Sequence, residues 1–172
     1  MTNLEDYIRD IPDFPKPGIV FKDITPLLGN SKAFRASIEQ LTQAVQDVPC
    51  DAVVGIESRG FLFGTALAMA LDVGFVPIRK PGKLPYDVVS REYSLEYGTD
   101  KVEMHSDAVK AGQSIIVVDD LIATGGTATA ACELVEQLGA TVSALGFIIA
   151  LDFIPWAERL GDRDVRALLR YS

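Results

Sequence analysis

The stretch Ser114-Ile115-Ile116-Val117-Val118-Asp119-Asp120-Leu121-Ile122-Ala123-Thr124-Gly125-Gly126-Thr127, continuing to Gly139, reads as strand, acidic turn, anion-binding loop and helix. Ile115 to Val118 form a short β-branched apolar run. That pattern suits a strand buried on both faces, as in a parallel sheet. Beyond the loop, Ala131, Leu134, Val135 and Leu138 recur at the spacing of one helix face, and Gly139 supplies the stop. A loop between a strand's end and a helix's start aims backbone N–H groups and the positive end of the helix dipole at one spot. Gly125 and Gly126 remove side chains that would block a close approach, and Thr124 and Thr127 add hydroxyl donors. The loop from Ala123 to Thr127 is thus a cradle sized for a phosphate. Asp119 and Asp120 would repel that phosphate, so they need separate work. Accepting hydrogen bonds from a ribose diol, or bearing on a Mg²⁺, would provide it. No Lys follows the glycine pair, which excludes a Walker loop, and no G-x-G-x-x-G follows a strand.

The same alternation extends in both directions. Ala52 to Ile56 is a second buried strand, which delivers Glu57-Ser58-Arg59-Gly60 to a helix over Leu62 to Leu71. Phe75 to Ile78 is a third strand, followed by Arg79-Lys80-Pro81-Gly82-Lys83-Leu84-Pro85. Its clustered like charges, glycine and prolines predict a mobile basic loop. Phe34, Ile38, Leu41 and Val45 mark one face of a helix from Ser31 to Val45. Val142 to Leu151 reads as a long apolar strand and Val165 to Leu169 as a last one. Strands alternating with helices predict the α/β class: a doubly wound, mainly parallel sheet whose ligands bind at the carboxyl ends of strands. At the amino terminus, Leu4, Tyr7, Ile8 and Ile11 predict a short amphipathic helix. Pro12 to Gly18 predicts an extended path, Ile19 to Phe21 a strand, and Thr25 a cap with Pro26 in the first turn.

The chain has 172 residues, 48% hydrophobic and 23% charged, which predicts one domain over 1–172 with an ordinary buried core. A net charge of -8 argues against nucleic acid or an anionic membrane as partner, so a polyphosphate substrate would need locally concentrated cations. Two cysteines, Cys50 and Cys132, are too few for a disulfide scaffold, and the single His105 has no neighbouring Cys or His to suggest zinc. Neither a signal peptide nor a run of transmembrane length is evident, so a cytoplasmic location is expected.

Val117 to Thr127 resembles the binding motif of the type I phosphoribosyltransferases. The resemblance implies that Asp119 and Asp120 hold the ribose hydroxyls of phosphoribosyl pyrophosphate, while Ala123, Thr124, Gly125, Gly126 and Thr127 hold its 5-phosphate. Asp13-Phe14-Pro15-Lys16-Pro17-Gly18-Ile19-Val20-Phe21-Lys22-Asp23-Ile24-Thr25-Pro26-Leu27-Leu28 is similar to the amino-terminal arm of the adenine-specific branch. There the arm is part of a hood over the base, about residues 1–30 here. That branch has Arg where Lys22 stands, so a role carried by the backbone of Val20, Phe21 and Lys22 survives the change and a guanidinium stack does not.

Glu57-Ser58-Arg59-Gly60-Phe61 resembles the branch's pyrophosphate loop, which implies a cis peptide between Glu57 and Ser58. Arg79-Lys80-x-Gly82-Lys83-Leu84-Pro85 followed by Tyr93-Ser94-Leu95-Glu96-Tyr97-Gly98 is similar to its flexible closing hairpin, placed here at 80–97 with Asp87, Val88, Val89 and Arg91 in its tip. The implied reaction joins adenine to phosphoribosyl pyrophosphate, giving AMP and pyrophosphate. Arg59, Lys80 and Lys83 would attend the leaving group, with Mg²⁺ carried by the substrate and reached, if at all, through water from Asp119 or Asp120. Glu96 is the implied acid–base residue and Leu151 a contact to the base, and a homodimer is implied. Two departures stand near the carboxyl terminus: Ala150 replaces a Glu, and the branch's Gly-Arg pair is absent around Trp156-Ala157. Two other readings are a phosphoribosyltransferase for another base, such as hypoxanthine or orotate, and a non-catalytic sensor of the pyrophosphorylated sugar.

Overall fold

The computed structural model describes residues 2–94 and 98–172. By its internal contacts the chain divides into two units, Met1–Gln40 and Leu41–Ser172.

In the first unit a 3₁₀ turn, Leu4–Tyr7, leads into strand β1 (Arg9–Pro12), which pairs antiparallel with β2 (Val20–Asp23). The helix expected over Leu4 to Ile11 is therefore only a turn, because Ile11 pairs with Phe21 and Pro12 with Val20. Pro12 also keeps Ile11 out of helical backbone. Between the strands, Asp13 and Gly18 take positive φ, and Asp13 Oδ1 accepts the Gly18 N–H at 2.8 Å. Phe14 stands edge-on to Phe21 with ring centroids 5.2 Å apart. Thr25 opens helix α1 (Thr25–Gly29) but does not cap it. Asp23 takes that role, its Oδ1 accepting the Thr25 N–H at 2.9 Å. The Thr25 hydroxyl and N–H, with Arg9, hold the Asp23 carboxyl at about 2. Helix α2 (Ser31–Val45) is capped by Asn30, whose Oδ1 accepts from Lys32 and Ala33.

The second unit is built on five strands in the order β4-β3-β7-β8-β9, every adjacent pair parallel. They are β3 (Ala52–Ile56), β4 (Gly74–Ile78), β7 (Ser114–Ile122), β8 (Thr141–Leu151) and β9 (Val165–Tyr171). Alternation along the strands divides the core between two faces. Ala52, Val54, Ile56, Ile115 and Val117 point into an apolar cluster with Ala131, Leu134 and Val135 of α4 (Gly126–Gln137). The opposite face carries α3 (Gly60–Leu71), which crosses β3 so closely that a Cβ on Gly55 or Gly64 would strike the Phe75 ring at 2.5 and 2.9 Å. The doubly wound parallel α/β fold is therefore as the alternation of elements implied.

Two features differ from the sequence reading. The hairpin arms are β5 (Val88–Ser94) and β6 (Thr99–His105), paired from Val88↔His105 to Ser94↔Thr99. Asp87, Val88, Val89 and Arg91 thus belong to the base and first arm of the hairpin and not to its tip. The return arm, which the sequence reading left out, alternates Val102 and Met104 into the core. The acidic pair is not a turn either, since β7 continues through it to Ile122.

Candidate active site

The continuation of β7 makes the site. β3 pairs with β7 only as far as Gly55↔Val118, whereas β8 follows it to Ile122↔Ala150. Past Val118 one side of β7 has lost its neighbour, and a cleft of about 280 Å³ opens there. Glu57, Ser58, Arg59, Lys80, Tyr93, Asp119, Asp120, Leu121 and Thr127 line it. Beside it the loop from Ala123 to Thr127, with Asp119, Leu121 and Phe147, encloses a smaller hollow of about 110 Å³. Asp119, Leu121 and Thr127 belong to both, so the two spaces meet along one wall. The structure brings Ser58, Arg59, Lys80, both aspartates and the cradle residues together, as expected for one extended phosphorylated ligand.

The aspartates are strongly conditioned. Burial, and then the charge of Asp120, push the Asp119 carboxyl well above its ordinary range. Asp119 Oδ1 accepts the Asp120 N–H at 2.8 Å and would lie 2.8 Å from a Cβ on Gly60. Arg59 Nε stands 3.0 Å from Asp120 Oδ2 but off the line of a hydrogen bond. That buried oxygen is ion-paired with Arg59 but accepts no hydrogen bond among the described residues, which leaves it able to accept from a hydroxyl.

Across the cleft, Lys80 pairs with Asp100, and its ammonium also reaches Tyr93 Oη at 2.9 Å. Burial works against that ammonium, but Asp100 and Tyr93 outweigh it and raise the Lys80 pKa. Lys83 is paired with Glu57 and does not line the cleft. The like charges that suggested a loose loop are thus each met by a carboxylate. The Glu57–Ser58 peptide is cis, as the resemblance implied. Leu151 ends β8 opposite Tyr171, with 9% of its surface exposed. Val20, Phe21 and Lys22 lie in the first unit, and Glu96 lies outside the described residues.

The glycine pair has a second reason that the sequence did not reveal. A Cβ on Gly125, whose φ is +78°, would meet Trp156 O at 3.2 Å. One on Gly126 would meet Arg159 Nη1 at 3.1 Å and Ser94 O at 3.3 Å. Trp156 and the short helix α5 (Ala157–Leu160) therefore back the cradle from behind. Arg159 Nη1 donates to Ser94 O at 3.4 Å, and Arg159 O accepts from the Thr129 hydroxyl. This brace comes from the segment where the sequence departs from the pattern it otherwise resembles, so no motif pointed to it.

Among the described residues no helix is long and apolar enough to cross a membrane, and no group of three or more His, Cys, Asp or Glu could hold a metal directly. The family model described as phosphoribosyl transferase domain matches residues 27–152. An adenine phosphoribosyltransferase of Nitrosococcus oceani is 54% identical over 99% of this chain and 100% of its own. A crystal structure of adenine phosphoribosyltransferase from Thermoanaerobacter pseudethanolicus superposes with a TM-score of 0.95 at 51% identity, covering 98% of this chain and 100% of that one. A Saccharomyces cerevisiae structure, described as complexed with an imino-altritol bisphosphate and adenine, gives 0.91 at 45% identity over 96% of each chain.

Proposed function

From the premise that this chain belongs to the phosphoribosyltransferase family, as an adenine phosphoribosyltransferase of purine salvage, we propose how its residues divide the work. The reaction joins adenine to phosphoribosyl pyrophosphate and yields AMP and pyrophosphate. Neither the hypoxanthine or orotate alternative nor a sensor has a counterpart among the relatives just described.

The observation that carries the assignment is the cleft running from Arg59 and Lys80, past Asp119 and Asp120, into the cradle at Thr127. Such a row suits a ligand with a diphosphate at one end, a diol in the middle and a phosphate at the other. Asp119 and Asp120 accept from the ribose hydroxyls, a hydrogen bond that the buried Asp120 Oδ2 accepts from none of the described residues. The backbone of Ala123 to Thr127 and the start of α4 hold the 5-phosphate. Held by both ends, the anomeric carbon is presented to the base in one orientation. As its bond to pyrophosphate breaks, positive charge grows on the sugar and negative charge on the leaving group. Arg59 and Lys80, which line the cleft, stabilise the latter, and Lys83 joins them from its place on Glu57. Leu151 offers an apolar contact to the base.

Mg²⁺ fits this site as a companion of the substrate, since two adjacent carboxylates suit water-mediated contact better than a complete protein cage. It would supply charge neutralisation on the pyrophosphate. Glu96 is the acid–base residue that relieves the attacking base nitrogen of its proton. Glu96→Gln is expected to lower kcat by about 10²–10⁴-fold with little change in the affinity for phosphoribosyl pyrophosphate. The test is AMP formation, with and without Mg²⁺; a kcat within about threefold of wild type would remove Glu96 from that role.

A homodimer is the assembly we propose. On α3, Leu62 and Met69 are exposed, 44% and 84%, two turns apart on the face opposite buried Phe63 and Leu67. Such a second apolar stripe suits burial against another copy. Sedimentation should show a dimer that Met69→Asp dissociates, and a monomeric wild type would end the proposal. A cytoplasmic location is consistent with the free thiols Cys50 and Cys132, and fractionation of expressing cells tests it.

A further inference from the structure

The carboxylate of Glu57 poses a problem of its own. It begins the segment read as the pyrophosphate loop, where a negative charge would repel the ligand. Yet it lines the cleft, and its side chain is only 11% exposed. Its partners explain it. Oε2 accepts the Lys80 N–H at 2.9 Å and lies 3.3 Å from Arg79 Nε, and Oε1 is paired with the Lys83 ammonium. The Glu57 N–H in turn donates to Ile78 O at 2.9 Å, at the end of β4. One carboxylate thus gathers three donors from the basic loop and is itself pinned at that loop's root. Burial alone would raise its pKa, but the hydrogen bonds from Lys83, Lys80 and Arg79 prevail and hold it at about 2. It is therefore ionised throughout the neutral range.

We propose that Glu57 is a positioning residue for leaving-group stabilisation. It holds Lys83 and the root of the basic loop beside Ser58 and Arg59, and its negative charge is spent on those cations rather than on the ligand. Lys83 is not part of the cleft wall itself, but its side chain is 46% exposed and is paired with Glu57, which is. Of its three N–H donors one stays on Glu57 and two are left for pyrophosphate oxygens that reach past that carboxylate. The cation then reaches the reaction already placed, and less side-chain freedom is lost on binding. The proposal rests on the assignment of Lys83 to the leaving group, and the test separates the two.

Calorimetric titration with phosphoribosyl pyrophosphate would compare wild type, Glu57→Gln, Lys83→Met and the double variant. AMP, which lacks the diphosphate, serves as the control ligand. Gln preserves an acceptor for the Lys80 N–H but loses the charge that holds Lys83. Each single variant is expected to weaken binding of phosphoribosyl pyrophosphate by about fivefold to fiftyfold, and AMP binding by less than about twofold. The double variant is expected to be no weaker than Lys83→Met alone, because Glu57 acts through that side chain.

If the two effects multiply, or Glu57→Gln binds more tightly, Glu57 does not position Lys83. An affinity unchanged in Lys83→Met overturns the assignment of Lys83 itself, whatever Glu57→Gln does. A purely structural role would weaken AMP equally and persist in the Lys83→Met background. Should Glu57→Gln not fold, Glu57→Asp replaces it: charge is kept and reach is lost. There, AMP binding weakened in step with phosphoribosyl pyrophosphate binding would equally defeat the proposal.

Discussion

Asp119→Asn is expected to lower the affinity for phosphoribosyl pyrophosphate by about tenfold to a hundredfold and, at neutral pH, to make the protein more stable. Both effects come from one carboxylate. As a proposed acceptor for a ribose hydroxyl, it loses a hydrogen bond to a charged group, each contributing about 1.5–3 kcal/mol. As a half-buried acid beside Asp120, it is penalised in the free protein, where loss of hydration and that neighbour raise its pKa well above the ordinary value.

The sign of the stability effect follows from linkage. An acid whose folded pKa exceeds its unfolded one binds more protons in the native state. Native stability then falls as pH rises from the unfolded pKa, near 3.8, towards the raised folded value, and the deficit persists at neutral pH. Asparagine carries no such deficit. A gain of about 1 kcal/mol, or roughly 2–4 °C in Tm, is expected, shrinking as the pH is lowered. Asp120→Asn should weaken sugar binding similarly, since it alters the buried Oδ2, which accepts no hydrogen bond among the described residues. Titration calorimetry and thermal melts at two pH values test these statements. Unchanged affinity in both variants would remove the ribose assignment, and a lower Tm for Asp119→Asn would show that the fold depends on the charge.

Discrimination between bases should be larger still. Adenine presents an exocyclic amine donor beside a ring-nitrogen acceptor, and hypoxanthine reverses both. We propose that backbone groups of Val20 to Lys22 read that edge, a carbonyl accepting from the amine and an N–H donating to the ring nitrogen. The Lys22 ammonium is already committed to Asp10 at 2.6 Å, its side chain only 13% exposed, which favours the backbone as the reader. Pairing of Val20 with Pro12 and of Lys22 with Asp10 fixes the path of this strand. Each mismatched buried group costs about 1–3 kcal/mol, so two imply a preference for adenine of about a hundredfold to ten-thousandfold in kcat/KM. Lys22→Ala is expected to retain that preference even where it slows the reaction. A wild-type ratio within about tenfold would end the edge-reading account. Selectivity lost only in the variant would assign the discrimination to the side chain.

Local signals in the sequence were sufficient for the fold class and for most of the loops that line the candidate site. The β-branched run before Asp119, the glycine pair and the helical spacing after it are properties of neighbouring residues. They placed β7, the cradle and α4 within a few positions of where the structure has them. The strand before Glu57 and the basic cluster after Ile78 were legible for the same reason. The amino terminus was misread because Ile8 and Ile11 fit a helix by spacing, while pairing with Phe21 and its neighbours decides for a strand. Glu57 escaped because a carboxylate in an anion-binding loop looks wrong until the donors that neutralise it are in view.

The amino-acid sequence by itself determined the strands and helices of the parallel sheet, their order, and the chemistry gathered at the ends of β3, β4 and β7. Those follow from periodicity and from the backbone needs of glycine and proline, which act over a few residues. Only the tertiary structure decided that β7 outruns β3, so that Asp119 and Asp120 face an open cleft while still paired to β8. It alone decided that Glu57 holds Lys83, 26 residues away in the chain, and that Trp156 and Arg159 press on the cradle from behind. Such contacts depend on strand register and on which chain ends meet in space, and no local pattern of residues encodes either.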